Sequence, residues 1–441
     1  MNQMNITVKI GFAVITLLMA TLLLAPSVSA ETAVTIENAG NITWILVCSA
    51  LVFIMTPGVA LFYGGMLRKQ SITSILAQTC IIMGIMTVSW AVIGYTLAFG
   101  SDVGGIIGNL EHILLHNVSV DTIAEGNTIP QMEFMLFQMM FALITAGIVL
   151  GAAIERIRFN AIAAFIAIWS IVVYAPMAHW VWGGGFFDQY LTVLDFAGGT
   201  VVHICAATTG LALVLFAGKR SERTMKDRPH NIPMTFIGFS LLWLGWLGFN
   251  GGSGLAADGV AINAVVVTMI SSSVAMIVWG LMQYFSVGRI GILGMIAGAV
   301  AGLVAITPAA GYVGPSEAIV IGAVGSILCY RGVLFMRKKS GLDDALDVFG
   351  VHGIGGIWGA IATGIFAVPA MVESGYEGLI YGNIDLFIGE IVAVMITIVF
   401  CFAVSYAVIW LLSKITDVRM VEDEEVIGAD IVEHGEPAYT R

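Results

Sequence analysis

The sequence predicts an all-α polytopic membrane protein with eleven transmembrane helices: two five-helix units in inverted orientation (a 5+5 inverted repeat) and one final helix. Three observations support this fold class: an apolar composition, eleven apolar windows of membrane-spanning length, and basic residues confined to alternate connections. Of the 441 residues, 59% are hydrophobic and only 11% are charged, whereas a soluble domain carries roughly 25% charged residues. The composition therefore excludes a soluble domain, and no basic run with interleaved aromatics suggests nucleic-acid binding.

Residues 1–30 are expected to be a cleaved signal peptide. Lys9 supplies a positive first region, residues 10–25 form an apolar core, and residues 28–30 are the small residues of a cleavage site. The alternative is an uncleaved first span. Cleavage would leave a membrane domain over residues 31–413 and a tail over residues 414–441.

Windows of about 20 apolar residues define the predicted spans. The eleven spans cover residues 41–65, 73–99, 131–154, 159–181, 196–217, 232–252, 260–286, 291–308, 315–335, 348–369 and 386–413.

The basic residues set the predicted orientation. Of the 18 Lys and Arg residues, all but Lys9 lie in or beside alternate connections or in the tail. The opposite connections, including the long stretches 100–130 and 370–385, contain none. Because positive residues stay on the cytoplasmic side, we expect the N-terminus outside and the C-terminus inside. The net charge of −11 arises mostly in loops and in the acidic segment 422–425, and it says little about partners.

Two histidines occupy matching Gly-rich stretches of predicted spans five and ten, each shortly after an aspartate. The stretches are 195–203, which ends at His203, and 347–352, which ends at His352. Ionisable groups inside a bilayer are costly and usually face a pathway or a partner. Five spans separate the two stretches, and an odd number inverts the second unit relative to the first. Inverted repeats place a substrate path at their interface near the bilayer midplane.

Helix geometry predicts that the two histidines converge. Eight residues of helix carry His203 about 12 Å inward from Asp195, and five carry His352 about 7.5 Å inward from Asp347, in a hydrocarbon core of about 30 Å. Because imidazole both donates and accepts hydrogen bonds near neutral pH, we interpret the pair as a shared-proton site lining a pore. The alternatives are two separately packed histidines or a metal site with the aspartates, but no metal-ligand spacing supports the latter.

Asp195 and Asp347 lie where helix N-caps belong, at the starts of their spans. A carboxylate there accepts backbone N–H bonds and complements the helix dipole. Capping and direct cation binding both remain open for these residues, and Asp195 on the outer face could help to attract a cation.

Aromatic residues gather at the outer ends of three predicted spans. Phe137 and Phe141 share one face of span three, Trp182 closes span four, and Phe249 and Ser253 end span six. One interpretation is an interfacial aromatic belt. The other is a vestibule in which ring faces hold a small cation as it sheds water, worth about 2 kcal/mol when desolvated. His179, near the same end of span four, is interpreted as a packed or hydrogen-bonded interface residue.

The five cysteines lie inside apolar runs. Their odd number and irregular spacing indicate neither a disulfide framework nor a zinc site. They are interpreted as packing residues, and no cofactor is expected.

Several motifs in order resemble the ammonium transporter (Amt/MEP/Rh) family, on the prokaryotic Amt side. The resemblance covers nearly the whole mature chain and extends into the tail. The motifs occupy residues 137–145, 178–185, 195–203, 245–253 and 347–353.

The resemblance implies roles for individual residues. Trp182, Phe141 and Ser253 would form an outer ammonium site. Phe141 and Phe249 would be stacked rings that gate the pore, with Phe137 beside them.

The resemblance also implies that His203 and His352 are the twin histidines of the lumen. Asp195 would be the family's aspartate near the outer site and Asp347 its counterpart, and Trp246 would be a further supporting residue. One departure from the family is Cys205, where an Asn commonly stands; it puts only local packing in doubt.

The function expected from these features is ammonium transport across a cell (plasma or inner) membrane, without enzymatic activity. NH4+ would bind at the outer site and lose a proton, and NH3 would pass the histidines, with or without a separately relayed proton. Methylammonium is the expected analogue. The resemblance further implies a homotrimer in membrane lipid and a PII-type regulatory protein at the cytoplasmic face.

Three other functions are less consistent with the sequence. A sensor usually carries an appended signalling domain, and only some 28 residues follow the last span. An intramembrane enzyme would need a nucleophile or metal-ligand spacing. A neutral-gas or urea channel would need no cation–π vestibule.

Overall fold

The structure is a computed structural model, and it describes residues 39–121, 123, 128–224 and 229–439. The signal peptide predicted at residues 1–30 lies outside these ranges. Its cleavage therefore stays a prediction.

The described part of the chain contains eleven apolar helices. Ten of them are long and apolar enough to cross a membrane, and the eighth is shorter, so the structure agrees with ten to eleven spans. The helices are α1 (Ala39–Met66), α2 (Ile72–Phe99), α3 (Gln131–Ala153), α4 (Phe159–Tyr190), α5 (Gly199–Ala217), α6 (Ile232–Gly252), α7 (Gly259–Val287), α8 (Ile292–Ile306), α9 (Pro315–Lys338), α10 (Phe349–Phe366) and α11 (Asp385–Leu412).

Four π-helical turns interrupt or begin these helices. Trp90–Gly94 lies within α2 and Ser170–Tyr174 within α4, while Gly199–Ile204 begins α5 and Phe349–Gly353 begins α10. Such turns often occur at functional sites. The last two contain His203 and His352.

Short elements connect and follow the long helices. A hairpin pairs β1 (Asp102–Val103) with β2 (Ile107–Gly108) in antiparallel register. Single 3-10 turns lie at Ile113–Leu115 and Leu379–Tyr381. The tail forms α12 (Glu422–Ile427) and a π-helical turn, Asp430–His434.

The packing partners of the first five helices recur in the second five. In the first set α1 packs on α2 and α3, α2 on α4, and α3 on α5. In the second set α6 packs on α7 and α8, α7 on α9, and α8 on α10. Each helix thus has a counterpart five helices later, and α5 and α10 meet in the interior.

Glycines bring α1 and α6 into close contact across the two sets. A Cβ atom at Gly238 would lie 2.2 Å from the backbone nitrogen of Phe62, and one at Gly245 would lie 2.5 Å from the carbonyl oxygen of Leu51. Small residues at helix interfaces let backbones approach in this way. The high glycine content of the sequence, 52 residues, is partly explained by this packing.

Candidate functional site

His203 and His352 meet in the protein interior, as the helix geometry predicts. Their Nδ1 atoms lie 3.2 Å apart, and the side chains are 1% and 8% exposed. A neutral imidazole carries one N–H, so one ring donates and the other accepts. The donating ring then has an acceptor at Nε2, and the accepting ring has a donor there. The pair therefore offers both hydrogen-bonding roles to a third molecule.

Asp195 caps the helix that carries His203. Its carboxylate accepts the backbone N–H groups of Gly198, Gly199 and Thr200 at 2.6–2.8 Å, and the Thr200 hydroxyl also donates to it. These donors satisfy the unpaired amides at the start of the helix. The capping interpretation of Asp195 therefore agrees with the structure.

The capping interpretation of Asp347 is wrong, because Asp344 caps the helix that carries His352. The Asp344 carboxylate accepts the N–H groups of Val348 and Phe349 at 3.0 and 2.8 Å. Asp347 instead forms an ion pair with Arg337. Asp344 precedes His352 by eight residues, as Asp195 precedes His203. This equal spacing is the signal that the sequence analysis missed.

Asp343 and Asp344, before α10, differ in pKa because their surroundings differ. Burial raises the pKa of Asp344 to about 7, and the charge of Asp347 adds to the increase. Burial would also raise the pKa of Asp343, but bonds from Arg220 and the charges of Arg220 and Arg156 lower it to about 2. Asp344 therefore holds a proton much more readily than Asp343, which stays ionised at neutral pH.

Trp246 fixes the position of the His203 ring. The two rings stack with centroids 5.4 Å apart and an interplanar angle of 20°. The indole N–H donates to the Thr307 hydroxyl at 2.9 Å, which holds the indole in place. Sequence reasoning missed Thr307, because a lone threonine near the end of a span gives no distinguishing signal.

Phe141 and Phe249 stack on each other, and Phe249 lies next to the rings of His203 and Trp246. The centroids of the two phenylalanine rings lie 4.3 Å apart at 25°, and Phe249 is 6.2 Å from His203. Phe137 packs its edge against Phe141 at 5.0 Å. All three phenylalanines are at most 2% exposed, so their rings form a buried aromatic group next to His203.

Trp182 and Ser253 lie beside the stacked phenylalanines. Trp182 contacts Phe141 edge-on at 5.8 Å, and its indole N–H donates to the backbone carbonyl of Asp195 at 2.8 Å. The Ser253 hydroxyl donates to the carbonyl of Phe249 at 2.8 Å. Because a hydroxyl oxygen also accepts, its lone pairs stay available to a bound cation.

Two cavities adjoin the histidines. A narrow cavity of about 20 Å³ is lined by His203, His352, Trp246, Phe249 and mostly aliphatic side chains. It has room for about one water-sized molecule. The second, of about 920 Å³, shares His352 with the first and extends to basic and acidic side chains such as Arg68.

The chain is similar to known proteins in sequence and in fold. The model of the Ammonium Transporter Family matches residues 43–439. The ammonium transporter of Bacillus subtilis is 45% identical over 400 residues, which cover 91% of this chain and 98% of that protein. Ammonium transporter Amt1 of Archaeoglobus fulgidus is 44% identical over 402 residues, covering 91% and 99%.

Solved structures show the same similarity. The crystal structure of Saccharomyces cerevisiae Mep2 matches with a TM-score of 0.79 and 30% identity, over 90% of this chain and 92% of that chain. A sensor Amt protein matches with a TM-score of 0.84 and 26% identity, over 90% and 99%. With the family model spanning most of the chain, these findings show that the protein belongs to the Ammonium Transporter Family.

Proposed function

We propose that this protein is an ammonium transporter that binds NH4+ at Trp182, Phe141 and Ser253 and conducts NH3 past His203 and His352. The observation that carries the proposal is the hydrogen-bonded histidine pair, with 3.2 Å between the Nδ1 atoms, next to two stacked phenylalanines. The family is one of transporters, so the protein is not an enzyme.

Binding begins at the outer aromatic site. The face of an aromatic ring attracts a small cation, with about 2 kcal/mol gained when the cation is desolvated. Ser253 supplies an acceptor for an ammonium N–H. Asp195, whose oxygens already accept four hydrogen bonds, acts by holding the start of α5 and the carbonyl that receives Trp182.

Deprotonation follows from the cost of carrying charge through the gate. The stacked rings of Phe141 and Phe249 and the narrow apolar cavity replace the hydration shell with groups that cannot solvate a cation. Losing a proton removes that cost, and NH3 passes as a neutral molecule. K+ has no proton to lose and is rejected at the same point.

The histidine pair gives NH3 a hydrogen-bonded path through the apolar cavity. NH3 donates and accepts hydrogen bonds, and the pair presents one donor and one acceptor at its Nε2 atoms. His203 Nε2 is buried and has no hydrogen-bond partner among the described residues, as expected of a group that serves the permeant. The separated proton either remains outside or is relayed through the pair.

Transport by purified protein in liposomes tests this function. We expect His203→Ala and His352→Ala each to reduce methylammonium uptake by at least about tenfold, the scale on which a lost charge-handling group acts. His116, an exposed loop histidine, provides the control His116→Ala, which should transport like the parent protein. Uptake at the parent rate in both correctly folded lumen variants would refute the proposal.

Current recordings on a supported membrane determine the fate of the proton. An ammonium-dependent current from the parent protein indicates that the proton also crosses the membrane, as it would if it were relayed through the histidine pair. Uptake without current indicates net NH3 passage.

We also propose the finer features of the architecture. The five helices α1–α5 and the five helices α6–α10 form an inverted repeat, followed by α11, and the recurring packing partners support this. The N-terminus lies outside and the C-terminus inside, because the basic residues flank one set of helix ends. The protein is a multi-pass membrane protein, and we place it in the plasma or inner membrane.

The family resemblance supports two assembly proposals. We propose a homotrimer, with one pore in each subunit, and a PII-type regulatory protein as a cytoplasmic partner. Mass measurement of the protein in native membrane discs tests the trimer. A binding assay with purified PII protein tests the partner.

A further inference from the structure

A buried imidazole, His179, lies one turn before Trp182 in α4 and pairs with the partly exposed carboxylate of Asp102. His179 is fully buried. Its Nδ1 atom lies 2.9 Å from the carbonyl oxygen of Ala98 at the end of α2, and its Nε2 atom lies 2.9 Å from Asp102 in strand β1. The ring therefore bridges three segments of the chain.

The partners of the ring fix its protonation state. A backbone carbonyl only accepts, so Nδ1 must carry a proton. At Nε2 the ring faces Asp102, whose carboxylate also accepts N–H groups from Gly105 and Gln189 at 2.9–3.0 Å. The side chain of Asp102 is 28% exposed, which favours its ionised form. A carboxylate accepts only, so Nε2 carries a proton as well.

Two further features agree with a positive ring. His179 lies in the last turn of the helix segment Ala175–Trp182, where the carbonyl ends of the helix stabilise a cation. The hydrogen bond from His179 lowers the pKa of Asp102 below its usual value, and bonds from Gln189 and Gly105 lower it further.

The chain that follows Trp182 wraps around this ring. Gly183 and Gly185 both donate their backbone N–H groups to the carbonyl of His179 at 3.0 Å. A Cβ atom at Gly183 would lie 2.8 Å from Nδ1 of the ring, and one at Gly185 would lie 2.7 Å from its Cδ2. A change in the position of the ring therefore moves the backbone on which Trp182 is carried.

We propose that His179 is an imidazolium ion-paired with Asp102, and that this pair positions Trp182 for cation binding. This inference rests on the proposed function, in which Trp182 is part of the outer ammonium site. His179 and Asp102 are positioning residues, since their hydrogen bonds go to Ala98, Gly105 and Gln189 rather than to the path. Loosening the pair should weaken ammonium binding and leave passage along the histidine lumen intact.

Nitrogen-15 NMR of histidine-labelled protein in lipid tests the ion pair without any transport measurement. We expect one histidine at neutral pH with both ring nitrogens protonated, and its signal should be absent from His179→Gln. In Asp102→Asn the same ring should be singly protonated, because an amide can donate to Nε2. A singly protonated His179 in the parent protein would overturn the proposal.

Transport kinetics test the positioning role. Asp102→Ala should raise the KM for methylammonium about tenfold, because a displaced Trp182 ring loses part of its attraction for the cation. The maximal rate should stay within about twofold of that of the parent protein. Asp102→Asn should recover much of the affinity, since the amide keeps the hydrogen bonds. Asp188→Asn, at an exposed residue two positions before Tyr190, is the matched control and should behave like the parent.

A Trp182→Leu variant separates this inference from the proposed function. If Trp182→Leu leaves the KM unchanged, the proposed outer site fails. If Trp182→Leu raises the KM while Asp102→Ala and His179→Gln do not, the site stands and the positioning role is wrong. A loss of maximal rate with unchanged KM in Asp102→Ala would also contradict it.

Discussion

Trp182 contributes to the proposed outer site through two separable contacts. Its ring lies against Phe141, and its indole N–H donates to the Asp195 carbonyl. A phenylalanine at this position keeps a ring face but loses the N–H. Comparing the two side chains therefore separates cation binding from the hydrogen bond that orients the ring.

We expect Trp182→Phe to raise the KM for methylammonium about fivefold. The lost hydrogen bond is worth about 1 kcal/mol, and a phenyl face attracts a cation less strongly than an indole face. Initial uptake rates over a range of concentrations measure the effect. A KM equal to that of the parent would show that the indole N–H has no role in holding the site.

Asp344 makes a pH-dependent contribution to the stability of the fold. Its folded-state pKa of about 7 lies above the value of about 3.9 expected in an unfolded chain. The folded state therefore holds this proton more tightly than the unfolded state. The stabilisation is fully present below pH 4 and is lost as the pH rises through 7.

We expect Asp344→Asn to remove this pH dependence. As the pH rises from 5 to 8, the free energy of unfolding of the parent protein should fall by roughly 3 kcal/mol more than that of the variant. The figure follows from about 1.36 kcal/mol per pKa unit. Unfolding midpoints in detergent at several pH values measure the difference. Asp343, with a pKa of about 2, stays ionised across this range and does not obscure it. Parallel curves for the two proteins would contradict the assignment.

At the scale of elements, the start of α10 depends on one aspartate and not on its neighbour three residues later. Asp344 receives two backbone N–H groups of the first turn. Asp347 pairs with Arg337, whose side chain is 63% exposed. Solvent screens such a pair, so its contribution is at most about 1 kcal/mol.

Alanine substitutions at the two aspartates should therefore have unequal effects. Asp344→Ala removes the cap and leaves buried amides unpaired, and we expect about 2 kcal/mol of destabilisation. Asp347→Ala should cost less than about 1 kcal/mol. Thermal unfolding and methylammonium uptake of both variants provide the comparison. Equal losses would mean that the ion pair is as important as the cap.

The sequence predicts the elements well where one signal dominates. The predicted span 291–308 agrees closely with the helix Ile292–Ile306 of the structure. In lipid, a long apolar run can form the hydrogen bonds of its backbone N–H and C=O groups in few ways other than as a helix. The π-helical turns that carry both histidines have no such signal in the sequence. The cap of α10 was misassigned because three aspartates lie within residues 343–347, and only the fold shows which carboxylate reaches the free amides.

At the scale of the whole molecule, the tail joins three connections on the side of the basic residues. Arg158 in the α3–α4 connection bonds to Glu424 and Glu433 of the tail. Asp430 accepts the N–H groups of Ile72 and Ser74 at the start of α2. Glu425 accepts the N–H group of Ser221 after α5. All these groups must therefore lie on one face of the membrane, together with the tail.

Labelling of single cysteines tests that orientation. We expect His116→Cys to react with a membrane-impermeant maleimide added to intact cells. His116 lies in the connection between α2 and α3, which contains no Lys or Arg. Lys338→Cys, on the same side of the membrane as the tail, should react only after the membrane is permeabilised. The charged reagent cannot cross the hydrocarbon core. Cys80 is exposed and is first replaced by serine, while Cys48, Cys205, Cys329 and Cys401 are buried. Labelling of Lys338→Cys in intact cells would show that the proposed topology is inverted. The proposed outer aromatic site would then face the cytoplasm.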